Sequence, residues 1–211
     1  MSPTAKSAIF VLFLVNVLVV SSQDIATKFS DRKIVPNIIP KAPTGLAKVS
    51  YPNGKAPELG TKLNANDVKE VPSVSFTNES GAKYVVLMFD PNPNNTANHT
   101  QHWLVTDVQP NTSNNTLTEY VGVLQGQKGT RQFVVLVYKL SGRAIEENHL
   151  DKNNILGRVN FNVNEFAKKY SLGDPVAGNF FDVNSCTGIK SSIAILFAAM
   201  GLIFMFGNNK L

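Results

Sequence analysis

Asp90 and His102 are the two residues in this chain whose types and spacing could do chemistry together. Asp90 closes a short apolar run, Tyr84–Phe89, and His102 opens another, His102–Val108, with a Pro-Asn-Pro-Asn-Asn breaker after Asp90. Both runs are rich in β-branched and aromatic residues, so the stretch reads strand, loop, strand. A carboxylate ending one strand and an imidazole heading the next can converge at a sheet rim, where binding residues concentrate. The imidazole can hold a proton or donate to a phosphate oxygen, and the carboxylate can orient the ring or accept from a ligand amine. The competing reading is structural: Asp90 caps the Asp-Pro turn and His102 is a hydrogen-bonded strand-end histidine.

The elements that must position these residues are mostly strands. Lys33–Val35, Leu46–Tyr51, Ser73–Phe76, Tyr84–Phe89, His102–Val108, Thr118–Val123 and Gln132–Lys139 are separated by Pro, Gly and Asn clusters, a density that predicts a β-sandwich. Lys83–Phe89 and Phe133–Tyr138 are nearly continuous apolar runs, expected as central strands covered on both faces. One helix is expected over Asn164–Tyr170, capped by Asn162 or Asn164 and stopped at Gly173, and a weaker one near Ile145–Leu150.

In order along the chain, DPNP, QHWLVTDV, LTEYVG (Leu117–Gly122), GTRQFVVLVY (Gly129–Tyr138) and FNVNEFAKKYSLGDPVAG (Phe161–Gly178) resemble the phosphatidylethanolamine-binding protein family. Phe29–Pro40, Leu46–Tyr51 and Val71–Phe76 fit that family's opening strands, so the resemblance covers roughly residues 25–183. It implies a mainly β fold, a sandwich of antiparallel sheets with one or two short helices. It also implies a pocket for phosphate-like headgroups lined by Asp90, Pro91, His102, Arg131 and Phe133, with Phe133 alternatively filling the sandwich.

The family pattern is not complete. Its second aspartate is Asn92 here, Gly129-Thr130-Arg131-Gln132 stands for its G-x-H-R, and Thr100-Gln101 replaces the aromatic before the histidine. The family's C-terminal helix has no counterpart after Phe181, which predicts a more open pocket. Arg131 could pair with phosphate bidentately or point to solvent. Trp103 reads as core, His99 as exposed, and Tyr120-Val121-Gly122 as the support of the loop Leu124–Lys128.

The ends carry targeting signals. Lys6 followed by the apolar run Ala8–Val20 and Val20-Ser21-Ser22 reads as a signal peptide over 1–22, with a mature chain from near Gln23. Ile193–Phe206 has 14 residues, about 21 Å as a helix, against a bilayer core of about 30 Å. Small residues Asn184 and Ser185, a polar spacer and this tail make 186–211 a glycosylphosphatidylinositol-anchor signal, or alternatively a short membrane anchor. The domain is then 23–185. Acceptor triplets at Asn78, Asn94, Asn98, Asn111 and Asn114 agree with export.

Removing both ends takes three of the 20 basic residues and leaves 17 against 15 acidic ones, which gives no basis for nucleic-acid binding. One cysteine, Cys186, excludes an internal disulfide framework, and three histidines with that cysteine argue against a metal site. No cofactor is expected. An esterase using an Asp–His pair lacks a G-x-S-x-G elbow and any nucleophile beside His102. The sequence therefore reads as a non-enzymatic, exported binding protein for an anionic headgroup or phospholipid, held to the outer membrane by its tail. Since family members also inhibit kinases or proteases, the alternative is a protease inhibitor or signalling-partner protein acting through rim loops.

Overall fold

The computed structural model describes residues 21–92, 95–109, 114–124, 127 and 129–185. Residues 1–20 of the expected signal peptide, the C-terminal tail, Asn94 and Asn111 lie outside them. In chain order the elements are α1 (Ser22–Asp31), β1 (Gly45–Leu46), β2 (Lys48–Ser50), β3 (Lys62–Asn64), β4 (Ser73–Ser75), β5 (Tyr84–Asn92), β6 (Asn95–Val108), β7 (Asn115–Thr118), β8 (Thr130–Lys139), α2 (Val163–Lys169) and β9 (Ala177–Asn184), with short 3-10 turns at Ala65–Val68 and Leu156–Arg158.

A central sheet runs β1-β9-β8-β5-β6-β7, with β3 also on β9, and β2 pairs with β4 as a separate two-stranded sheet. The expected antiparallel sandwich is corrected in one respect: β1 and β3 run parallel to β9, so the large sheet is mixed. Alternation along β5 and β8 divides the core. Val85, Leu87, Phe89, Val134 and Leu136 face α1 and α2. Tyr84, Val86, Met88, Phe133 and Val135 face the small sheet through Val49 and Tyr51. Residues 84–90 and 133–138 are buried throughout, as continuous apolar runs in central strands require.

The first helix replaces an expected strand. Ser21 and Asp24 form a reciprocal capping box at its start, so the helix straddles the expected cleavage point after Ser22. At its end the Ile34 amide donates to Phe29 O at 3.0 Å and the Lys33 amide to Ser30 O at 2.9 Å. Lys33 sits in the left-handed region at φ 57°. This is a Schellman stop, with Ile34 folding back beside Phe29 in the core. Lys33–Val35 is therefore a helix stop and turn, and Phe29–Pro40 holds no opening strand. The β-branched Ile34-Val35 pair imitates a strand, and no glycine marks the stop.

Three other expectations change. Ile145–Leu150 carries no helix and forms only a single bridge, Leu150 with Thr118, and β7 ends at Thr118 rather than reaching Val123. The strand β9 was absent from the expected set, because Gly178-Asn179 interrupts its apolar run. The helix α2 agrees, with Asn162 accepting from the amides of Asn164 and Glu165 at 3.0 and 3.1 Å.

Candidate functional site

Antiparallel pairing of β5 with β8 sets Phe89 opposite Val134, which brings the ends of both strands to one rim. There Arg131 Nε donates to Asp90 Oδ2 at 2.5 Å. Asp90 is fully covered while the Arg131 side chain keeps 24% of its surface exposed. Burial pushes the Asp90 carboxyl up to about 6, with the neighbouring guanidinium pulling against that rise. Asp90 engages Nε, and among the described residues no bond is made by the two terminal amino groups of Arg131.

These groups border a cleft of about 470 Å³. Asp90, Pro91, Thr130, Arg131 and Gln132 line it from the strand ends, and Asp31, Arg32, Lys33, Asn37 and Ile38 line it from the stop of α1 and the turn beyond. Arg32 is tied to Asp182 by an ion pair and lies over the Phe180 ring at 5.7 Å. Lys33 is exposed on the rim. The cleft thus presents the outer face of the Arg131 guanidinium and Lys33, with Asp90 matched by Arg131 and with Asp31 on the α1 side.

His102 lies one layer deeper, with no exposed surface. Its ring packs on Phe133 with centroids 4.3 Å apart, and neither residue lines the cleft. The expected pairing of Asp90 with His102 is corrected: a backbone carbonyl orients the ring, with Nδ1 2.8 Å from Val121 O. A carbonyl can only accept, so Nδ1 carries the proton. Burial, the largest cause, lowers the His102 pKa to about 4, so at neutral pH Nε2 is a bare acceptor without a protein partner. His102 Nε2 can therefore only accept a hydrogen bond, and it has no surface open to the cleft.

The support beneath His102 is the Tyr120-Val121-Gly122 segment. Tyr120 Oη donates to Val68 O at 2.7 Å, and a Cβ at Gly122 would meet that same carbonyl at 2.3 Å. Only glycine lets the segment lie this close. Trp103 packs edge-on to Tyr120 at 6.0 Å, as a core residue would.

Two buried groups escaped sequence reasoning. His99, expected at the surface, is 1% exposed, packs on Phe89 at 4.9 Å and has no partner for either ring nitrogen. Burial lowers its pKa to about 4. Its position inside a glycan acceptor triplet gave the opposite impression. Arg158 is fully buried and ties the loop before α2 to β6, donating to His102 O at 3.3 Å and Asp151 O at 2.7 Å. Nothing in its local sequence signals this.

Of the acceptor asparagines, Asn78 and Asn114 are exposed and Asn98 is half-buried on β6. Ser185 is held at the start of β8, its Oγ donating to Gly129 O at 2.6 Å. Among the described residues no helix is long and apolar enough to cross a membrane, and no histidine, cysteine and carboxylate cluster could hold a metal.

Comparison with known proteins agrees with this architecture. The "Putative odorant-binding protein A5" of Drosophila melanogaster is 29% identical over 192 residues, covering 82% of this chain and 89% of that protein. The "26 kDa secreted antigen" of Toxocara canis is 29% identical over 164 residues, covering 72% of this chain and 62% of that protein. A carboxypeptidase Y inhibitor, solved in complex with its cognate proteinase, superposes with a TM-score of 0.63 at 19% identity, over 80% of this chain and 98% of its own, a likeness of fold. A profile of the family described as phosphatidylethanolamine-binding protein matches residues 52–181, more than half of the sequence, and the chain belongs to that family.

Proposed function

We propose that this protein is a non-enzymatic binding protein whose cleft at Arg131 takes the phosphate or other anionic headgroup of a phospholipid-like ligand. The observation that carries this reading is the one-sided use of Arg131. Asp90 fixes Nε, which aims the guanidinium plane and leaves its amino groups to grip a phosphoryl group bidentately. Lys33 across the cleft adds a second cation. His102 has no exposed surface and does not line the cleft, so its imidazole is not placed to meet the headgroup. No serine or cysteine stands beside that imidazole in the sequence, which supports binding without turnover.

Export is part of the proposal. It rests on the N-terminal apolar run, the acceptor triplets and the likeness to a secreted antigen. The tail would hold the domain at the outer cell surface, through a glycosylphosphatidylinositol anchor or a short membrane segment.

The test is native mass spectrometry of the intact protein titrated with inorganic phosphate and with phosphoethanolamine. Saturable binding of both is expected, abolished in Arg131→Gln. Binding unchanged in Arg131→Gln would defeat the reading.

A second reading, a protein partner engaged through an exposed apolar loop, is favoured by one feature. Leu156 is 86% exposed, beside Ile155 and Val159 at 41% each. If that loop docks a partner, Leu156→Asp abolishes the interaction while Arg131→Gln preserves it.

A further inference from the structure

A groove of about 810 Å³ lies between β6, β7, α2 and the segment before α2. It shares no lining residue with the cleft at Arg131. Leu104, Val159, Phe161 and Phe166 give it apolar walls, and its floor carries two polar side chains, Gln101 and Thr118. Both floor residues are buried, at 4% and 1% exposure. Thr118 Oγ1 donates to Gln101 Oε1 at 2.9 Å. That bond places the Gln101 amide beside Thr118 on the groove floor, where its amino group is a hydrogen-bond donor. The Thr118 oxygen keeps lone pairs that can accept. Donor and acceptor thus lie side by side at the bottom of an apolar hollow.

The charges around the mouth cancel. Glu147 is spent on Lys169 at 2.7 Å and on the Tyr170 hydroxyl at 2.9 Å, which leaves Glu165 and Lys168 with opposite signs. The buried floor carries no ionised group to compensate an ion, and burying an unpaired charge is costly. The walls are also tied in place. The Leu150 amide donates to Leu117 O at 2.8 Å, Phe161 and His99 pair at 2.8 and 3.0 Å, and Arg158 clamps the intervening loop. The hollow is preformed, and its volume lies in the range of small-molecule sites, about 300–1,000 Å³.

We propose that this groove is a second binding site, for a small uncharged amphiphile with an apolar body and one amide group. The ligand carbonyl accepts from the Gln101 amino group and its N–H donates to Thr118 Oγ1. The apolar chain lies against Phe161, Phe166 and Val159. This site does not depend on the anion cleft, and either can fail without the other.

The experiment is calorimetric titration of the intact protein with octanamide, octanoate and octylammonium, paired with hydrogen exchange on the same samples. Octanamide is expected to bind one to one and to protect amides in the 156–166 segment. The two ions are expected to bind at least about tenfold more weakly. Gln101→Leu should weaken octanamide about tenfold, the equivalent of ~1.4 kcal/mol. Val159→Trp, at a position 41% exposed where a larger side chain can be accommodated, should block it. No binding of octanamide, equal binding of the three probes, or protection confined to the strand ends at Asp90 and Arg131 would each overturn the proposal. So would binding unchanged in both variants.

Discussion

Arg131 and Asp90 are not equivalent under substitution. Arg131→Lys keeps a cation beside the buried carboxylate but loses the planar fork. We expect it to retain most of the stability and to lose about tenfold or more in phosphoethanolamine affinity, checked by calorimetry alongside thermal unfolding. Full retention of affinity would show that the fork does not grip the headgroup. The two buried histidines make a different prediction. Each has a folded pKa near 4 against about 6.5 unfolded, so between those values the unfolded chain binds more protons. Their contribution is complete above about pH 6.5 and is lost as pH falls toward 4. Asp90, raised to about 6, acts in the opposite sense, losing stability as pH rises through that value. Two histidines against one carboxyl leave a net fall, so the melting midpoint should drop by several degrees between pH 7 and pH 4.5. His99→Phe should flatten that slope, since one histidine then faces one carboxyl; an unchanged slope would contradict the assignment. Of this chemistry the sequence showed residue types but not pairings. Asp90 meets Arg131 across 41 positions, a contact made by the register of β5 and β8 and invisible in either strand alone.

At the scale of elements, the stop of α1 combines a structural cost with a charge at the cleft. Lys33 takes the left-handed conformation usually given to glycine, which costs a residue with a Cβ roughly 1–2 kcal/mol. Lys33→Gly should therefore leave stability unchanged or raise the melting midpoint by a few degrees. The same change should lower phosphate affinity several-fold through the lost charge. A loss of stability with unchanged affinity would show Lys33 to be a packing residue. This stop also shows why Lys33–Val35 reads as a strand in the sequence. Hydrophobic Ile34 and Val35 carry strand propensity, but Ile34 serves as the apolar residue that folds back onto the helix. By contrast α2 announced itself through Asn162 before the start and Gly173 beyond the end. The strand β9 lacked such clarity, because its alternation begins with Gly178-Asn179 and its partners β1, β3 and β8 lie far away in sequence.

At the scale of the whole molecule, the central strands were legible because burial on both faces requires an uninterrupted apolar run, and Tyr84–Phe89 and Phe133–Tyr138 supply it. The mixed sheet was not legible, since the parallel edge strands β1 and β3 are only two and three residues long. The hidden placement of His99 and Arg158 follows from a loop that crosses back over β6, a tertiary decision with no local signature. These features give one sheet two separate hollows, one charged and one neutral. The central claim concerns the charged one, and a crystal structure of the protein grown with saturating phosphoethanolamine tests it most directly. The account predicts a phosphoryl group on the terminal nitrogens of Arg131, within reach of Lys33, with Asp90 still engaged by Nε. An empty cleft, or a ligand bound elsewhere with Arg131 turned to solvent, would contradict it.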